Sequence, residues 1–302
     1  MAGRRTPRRA PDRLRVALAQ LEPVLGDVSA NVRRHVDWAR RAARQGADIV
    51  VFPELSLTGY LLQDLVPEVA ISLARPRQLQ PLLEASRSIA IVVGLVEETP
   101  GHRFHNVALF LHDGGIRHVH RKVYLPTYGM FDEGRFFAPG ERLQAFSTPL
   151  GRMGLLICED FWHPGCAVVL AQDGADYLLV ISAGPTEGIP ERTGPPLGAT
   201  WRDLAKVTAQ TQTIFVAYAN RVGFEDGVNF PGGSCIYDPL GERLADGPFL
   251  EERLVMGELE RSSLRRARTL YPLLRDERLP VLAREVQRLM TLPETPRKKR
   301  SA

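Results

Sequence analysis

The chain has 302 residues, of which 44% are hydrophobic, 25% charged and 7% aromatic, which excludes disordered, collagen-like and disulfide-rich secreted classes. A globular protein of one large domain or two modest ones is expected. The formal charge of +4 sits at the ends: residues 1–13 hold five Arg against Asp12, and Arg297, Lys298, Lys299 and Arg300 face Glu294 in 291–302, leaving a mildly acidic body.

Both Pro-containing ends are expected to be disordered basic tails, with no nucleic-acid or membrane-binding role. Of the 39 basic residues only Lys122, Lys206, Lys298 and Lys299 are lysine, so a lysine inside the body is expected where a guanidinium cannot serve. No apolar run reaches the length of a membrane span, and no apolar h-region follows the Arg-rich start. Cys158, Cys166 and Cys235 form no CxxC pair, which fits a reducing, cytoplasmic setting with no disulfide framework and no zinc site.

In chain order, Leu14–Leu21 reads as a strand. Ser29–Gln45 follows as a helix, with Val32, Val36, Ala39 and Ala43 at helical spacing and a stop at Gly46. Asp48–Phe52 reads as a buried strand. Helical segments over 67–88 are punctuated by Pro67, Pro76 and Pro81, and strands follow at Ile89–Glu97, Asn106–His112 and Ile116–His120. Residues 123–141 form a Gly-, Pro- and aromatic-rich loop. Strands near Gln144–Ser147 and Met153–Ile157, a helix at 165–173 and a strand at Tyr177–Ser182 lead to a Gly/Pro loop at 184–196. A helix at Thr200–Thr211, a strand at Ile214–Asn220, a Gly-rich loop at 223–233 and strands at Ser234–Tyr237 and Leu254–Leu259 complete the body. This alternation predicts an α/β fold, in which sites gather at the carboxyl ends of strands.

Those strand ends carry an acid, an amine and a thiol. Pro53-Glu54 follows one apolar run, Arg121-Lys122 another, and Cys158-Glu159-Asp160 a third. A carboxylate that follows an apolar strand suits a general base, and a cysteine at a strand-to-turn junction, where backbone N–H groups point forward, suits a nucleophile beside an oxyanion. Singly, such a Glu is more often a surface carboxylate and such a Cys a buried hydrophobe; together with a lysine they make a base, a cation and a nucleophile that could meet.

These segments resemble the nitrilase, or carbon-nitrogen hydrolase, superfamily. The matching stretches are Phe52-Pro53-Glu54-Leu55 with Thr58-Gly59-Tyr60, His120-Arg121-Lys122-Val123-Tyr124-Leu125-Pro126, and Gly154-Leu155-Leu156-Ile157-Cys158-Glu159-Asp160, and the resemblance runs from about Leu14 to Leu259. It implies an α-β-β-α sandwich, dimerising into an α-β-β-α-α-β-β-α core, with a Glu54–Lys122–Cys158 triad. It also implies a second active-site carboxylate between the Lys and the Cys, for which Glu133 is the better match and Asp132 the lesser. The implied reaction needs no metal or other cofactor.

After the nucleophile, Cys158-Glu159-Asp160-Phe161-Trp162 resembles the glutaminase domain of glutamine-dependent NAD synthetases, and Glu159 departs from the Cys-Trp-Glu of nitrile-cleaving members. The chain carries no Ser-Gly-Gly-x-Asp-Ser loop of an ATP-using synthetase domain, so the expectation is a stand-alone amidase-type hydrolase of a small-molecule amide. Three alternatives stand beside it: a glutaminase-like subunit passing ammonia to a partner enzyme, an N-carbamoyl amide hydrolase, and a catalytically silent interaction module.

Tyr60, Tyr128, Phe131, Trp162 and Ser182 are candidate pocket residues, and Glu159 or Asp160 could recognise an amino group, with a turn role open for Asp160. His118 and His120 have a metal-compatible spacing but no third ligand in view, which favours structural roles. Residues 14–260 thus read as one hydrolase domain and 261–290 as a helical extension of two amphipathic stretches, suited to assembly as a homodimer or higher oligomer or to capping its own domain.

Overall fold

The computed structural model describes residues 11–186 and 198–291. Residues 1–10 and 292–302 of the two basic tails, and most of the 184–196 loop, lie outside them. Residues 11–13 lie within, and Arg13 opens the first strand, contrary to the expected tail boundary, because its backbone pairs with Glu260.

The elements alternate as expected. Strand β1 (Arg13–Gln20) leads into helix α1 (Val28–Arg44), then β2 (Ile49–Val51), α2 (Val66–Val69), α3 (Gln80–Ala85), β3 (Ala90–Glu98), β4 (Phe104–His112) and β5 (Gly115–Arg121). A short α4 (Glu133–Phe136) interrupts the aromatic loop before β6 (Phe146–Thr148) and β7 (Gly151–Ile157). Next come α5 (Glu159–Trp162), α6 (Pro164–Gln172), β8 (Tyr177–Ser182), α7 (Ala199–Gln212) and β9 (Phe215–Asn220). Strands β10 (Val222–Glu225), β11 (Val228–Pro231), β12 (Cys235–Tyr237), β13 (Arg243–Asp246) and β14 (Arg253–Glu260) follow, with α8 (Arg261–Leu270), α9 (Leu273–Asp276) and α10 (Leu279–Met290) last.

Two six-stranded sheets result, ordered β14-β1-β2-β3-β4-β5 and β13-β12-β9-β8-β7-β6. Their inner faces meet: Val16, Leu18, Ile49, Val51, Val92 and Phe110 of the first pack on Leu155, Ile157, Leu179, Ile181 and Ala217 of the second. The alternate residues face outward into helices. Ala17, Ala19, Val50 and Ile91 pack under α1 and α3, while Leu156, Leu178, Val180 and Val216 pack under α6 and α7. Both strand faces are therefore buried, which is why these strands read as continuous apolar runs rather than alternating ones. The architecture is the expected α-β-β-α sandwich. Asp27 caps α1 by accepting a hydrogen bond from the Ala30 N–H at 2.8 Å, so that the helix begins at Val28, one residue before the expected start.

Three segments differ from expectation. The 223–233 "loop" is mainly the β10–β11 hairpin, closed at Asp226-Gly227, both with positive φ (47° and 81°), the geometry that an Asp-Gly pair favours in a two-residue turn. Strand β13 escaped notice because its exposed RLAD sequence has no apolar signal. The extension forms three helices rather than two stretches: α8 buries Leu264 and Ala267 and docks its Arg268 on Asp176 at 2.9 Å, whereas α10 buries nothing. No helix among the described residues is long and apolar enough to cross a membrane.

Candidate active site

Strands β1, β2 and β3 run parallel, and β5 runs with them because β4 is antiparallel to both of its neighbours. The carboxyl ends of β2 and β5 therefore share one edge of the first sheet. Strands β7, β8 and β9 are parallel to one another and present their carboxyl ends together in the second sheet. Hydrogen bonds join the two edges around Glu54.

Glu54 is wholly buried. Its Oε1 accepts from Lys122 Nζ at 2.7 Å and from Asn106 Nδ2 at 2.8 Å, and its Oε2 accepts from the Ala183 N–H, past the end of β8, at 2.8 Å. The tight turn that carries Glu54 crosses β3 at Gly94, where a Cβ would lie 2.5 Å from the Leu55 nitrogen and 2.7 Å from the Pro53 oxygen. That close approach requires glycine.

Lys122 is buried between two carboxylates, donating to Glu54 and, also at 2.7 Å, to Glu133 Oε1. Burial works against the ammonium, but the charges of Glu133 and Glu54 outweigh it and hold the Lys122 pKa well above its ordinary value. Glu133 opens α4 and also accepts from the Tyr60 hydroxyl at 2.6 Å, while its Oε2 is buried without a partner in the structure. Burial raises its pKa from 4.5 to about 7, against the opposing pull of Lys122 and with help from the charge of Glu54. Asp132, the alternative at this position, is exposed.

Cys158 sits on the turn between β7 and α5 with φ 44° and ψ −100°, a sparsely populated conformation that costs a non-glycine residue about 1–3 kcal/mol. Its N–H is fixed to the Ile181 carbonyl at 2.9 Å, and its own carbonyl accepts from the Phe161 N–H at 2.8 Å. Burial, and next the charge of Glu54, push the thiol pKa well up, while Lys122 and a hydrogen bond with Ser182 act in the opposite sense. This balance favours the thiol form of the sulfur, which lies near Glu54 and Lys122. As the first residue of α5, Glu159 has a backbone N–H with no acceptor inside the helix.

Asp160 belongs to the scaffold, which resolves its open role. Wholly buried, its Oδ1 accepts from the Val123 and Tyr124 N–H groups, both at 2.9 Å, and its Oδ2 lies 2.8 Å from His120 Nε2 and accepts from the Ile157 N–H at 3.1 Å. One side chain thus ties the Lys122 segment to the Cys158 turn. His118 stacks on Phe146 instead, with ring centroids 4.0 Å apart.

The remaining candidates divide. Tyr128, Phe131, Glu159 and Trp162 line a cavity of about 190 Å³ that opens onto Cys158, together with Trp201. Tyr60 turns its hydroxyl to Glu133, and Ser182 lies behind the thiol, its Oγ accepting from the Gly184 N–H at 3.0 Å. A larger cleft, about 540 Å³ along β5 and lined in part by Arg103, His105, His118 and Arg142, contains none of these groups. Sequence reasoning missed Asn106, whose signal is an amide inside the apolar β4 run, and Glu225. The Glu225 carboxylate accepts from the Tyr60 and Leu61 N–H groups at 2.7 and 2.5 Å and pairs with the buried Arg221 at 2.6 Å, an arrangement with no local sequence signal.

The chain belongs to the carbon-nitrogen hydrolase family, whose model matches residues 15–269, and is thus an enzyme that acts on carbon–nitrogen bonds. Among individual proteins, it is 34% identical over 250 residues to a glutamine-dependent NAD(+) synthetase of Thermotoga maritima, covering 82% of this chain but 42% of that protein. The chain thus spans less than half the length of that relative. It is 33% identical over 269 residues to an (R)-stereoselective amidase of a Pseudomonas species, covering 88% of this chain and 92% of the amidase. Among solved structures it superposes, with a TM-score of 0.76 and 26% identity, on a variant of the amidase from Nesterenkonia sp. AN1, covering 90% and 97% of the two chains. In that structure the acetamide moiety of fluoroacetamide is covalently attached to the active-site cysteine.

Proposed function

We propose that the protein is an amidase-type hydrolase that releases ammonia from a small amide through a thioester on Cys158. The observation that carries this reading is the buried hydrogen-bonded group of Glu54, Lys122 and Glu133 against a neutral thiol on a strained turn. A thiol that burial keeps protonated needs a base in place, and Glu54 is the adjacent carboxylate.

Glu54 takes the thiol proton as Sγ attacks the carbonyl carbon. The oxyanion forms against the Lys122 ammonium and the Glu159 N–H, which the start of α5 directs toward it. As the C–N bond breaks, Glu54 returns the proton to the departing nitrogen, giving ammonia and the thioester. Water then gives a proton to Glu54 and its hydroxide to the carbonyl carbon, the C–S bond breaks, and the proton returns to sulfur. Glu133 fixes the ammonium from its other side, and its unpartnered Oε2 is available to an amide N–H of the substrate. Tyr128, Phe131, Trp162 and Glu159 form the substrate wall, Glu159 facing any amino group, while Tyr60 and Ser182 support Glu133 and the thiol. We further propose that the chain works as a homodimer or higher homo-oligomer.

A second reading, glutaminase activity that supplies ammonia to a separate synthetase, is favoured by the NAD synthetase relatives. Ammonia release from a panel of aliphatic, aromatic and amino-acid amides, glutamine and N-carbamoyl amino acids tests both. Turnover of simple amides that is lost in Cys158→Ala, with an unchanged circular dichroism spectrum, is the expected result. Equal turnover by Cys158→Ala contradicts the reading.

A further inference from the structure

The buried acid–amine cluster is held from a side that no step of the reaction uses. Tyr60 donates its hydroxyl to Glu133 Oε1 at 2.6 Å, and the same oxygen accepts from Lys122 Nζ at 2.7 Å. Tyr60 and Leu61 lie outside any helix or strand, so their backbone N–H groups have no ladder partner. Glu225 takes both: its Oε1 accepts from Tyr60 at 2.7 Å and from Leu61 at 2.5 Å, and its Oε2 is paired with Arg221 Nη1 at 2.6 Å.

The β10–β11 hairpin is a fixed reference for that carboxylate. The Val222 N–H donates to the Leu21 carbonyl at 3.2 Å and the Phe224 N–H to Glu22 Oε1 at 2.9 Å, which ties the hairpin to the chain just past β1. Phe230, on the other strand of the hairpin, carries the Arg221 guanidinium over its ring at 4.1 Å and meets the Tyr60 ring edge to face at 6.0 Å. Tyr60 is thus gripped at both its backbone and its ring.

Stability does not account for this arrangement. Arg221 and Glu225 are buried, and Arg221 Nε and Nη2 have no hydrogen-bond partner among the described residues. A buried ion pair with unsatisfied donors gains little over apolar side chains of similar volume. What the pair supplies is position, a carboxylate fixed at the backbone of the residue whose hydroxyl meets Glu133.

We propose that Glu225, held by Arg221, is a positioning residue for catalysis: it fixes the Tyr60 segment so that the hydroxyl aligns Glu133, and through Glu133 the Lys122 ammonium. This rests on the amidase reading above, in which Lys122 faces the oxyanion. A shift of about 1 Å in a catalytic group can cost about a hundredfold in rate, so the clamp acts on turnover rather than on substrate affinity.

The test is a double-mutant cycle on the full chain, with kcat and KM read as ammonia release from whichever amide of the panel above is turned over fastest. Tyr60→Phe is expected to lower kcat by about tenfold or more, the loss of one hydrogen bond to a charged group, with KM within about threefold of wild type. Arg221→Met with Glu225→Leu replaces the pair by apolar side chains and is expected to fold, by its circular dichroism spectrum, yet to show the same kcat loss. If that variant does not fold, Glu225→Asp, which keeps the charges but draws the carboxylate back from the Tyr60 N–H, takes its place with the same expectation. Combined with Tyr60→Phe, either hairpin variant should lose little more than the single variants do, because both act through one hydrogen bond. Losses that multiply to about a hundredfold, or that fall on KM alone, overturn the inference and leave amide hydrolysis standing. So does a Tyr60→Phe kcat within about twofold of wild type, whether or not the hairpin variants fold. No ammonia from any amide, with Cys158 also unlabelled by fluoroacetamide, overturns the amidase reading and the inference with it.

Discussion

Lys122 carries the clearest physical argument at the scale of single residues. A compact ammonium fits between two carboxylates at 2.7 Å each, in a space with no exposure to solvent. A planar guanidinium is larger and spreads its charge over three nitrogens. Lys122→Arg is therefore expected to lower kcat by about a hundredfold or more, the usual effect of losing one oxyanion donor, in steady-state ammonia assays. Activity within a few-fold of wild type would show that the oxyanion is held elsewhere. Glu133 makes a prediction about pH. Burial raises its pKa from 4.5 to about 7, so the folded protein binds this proton more tightly than the unfolded chain does. Its contribution to stability is full below pH 4.5 and is lost as pH rises through about 7. Glu133→Gln cannot lose that proton, so its denaturant midpoint should fall less than that of wild type between about pH 5 and about pH 8. An identical fall in the two proteins would contradict the burial argument. Glu54, Lys122 and Cys158 were legible in the sequence because the motifs around them resemble those of the nitrilase superfamily, and Glu54 and Cys158 also each follow an apolar run. Asn106 and Glu225 were not, because their partners come from strands and loops far away in the chain.

At the scale of elements, the site depends on how closely two strands pass. Gly94 on β3 leaves room for the Pro53–Leu55 turn at distances where any Cβ would collide with backbone, which cannot swing aside as a side chain can. Gly94→Ala is expected to cost about 1–3 kcal/mol in denaturant unfolding and to lower activity further by displacing Glu54. Full activity with normal stability would mean that the turn can shift without consequence. The β10–β11 hairpin shows what was readable but unread. Asp226-Gly227 is a strong two-residue turn signal, and the density of glycine around it concealed the strands on either side. Asp160 shows the opposite case. Next to the nucleophile it reads as a substrate contact or a turn residue, and only the fold reveals that it binds the ends of β5 and β7 together.

For the whole molecule, the sandwich was legible from the alternation of strands and helices together with the family resemblance, since periodicity by itself leaves several layered α/β folds open. The last helix was legible as one of the two amphipathic stretches of 261–290, but the cover of its apolar face was not, since among the described residues none buries it. Leu279, Leu282, Val286 and Leu289 recur on one face of α10 and are 42–58% exposed. If that face joins subunits, Leu282→Glu with Val286→Glu is expected to shift sedimentation velocity toward the monomer, and an unchanged distribution would assign the contact to another surface. The central claim concerns the bond made during turnover. The most direct measurement is mass spectrometry of the protein, acid-quenched during hydrolysis of a slow amide and then digested. An added acyl mass on the Cys158 peptide, absent from Cys158→Ala, is the predicted result. Turnover with no acyl mass on Cys158, or with the mass on another residue, would contradict the account.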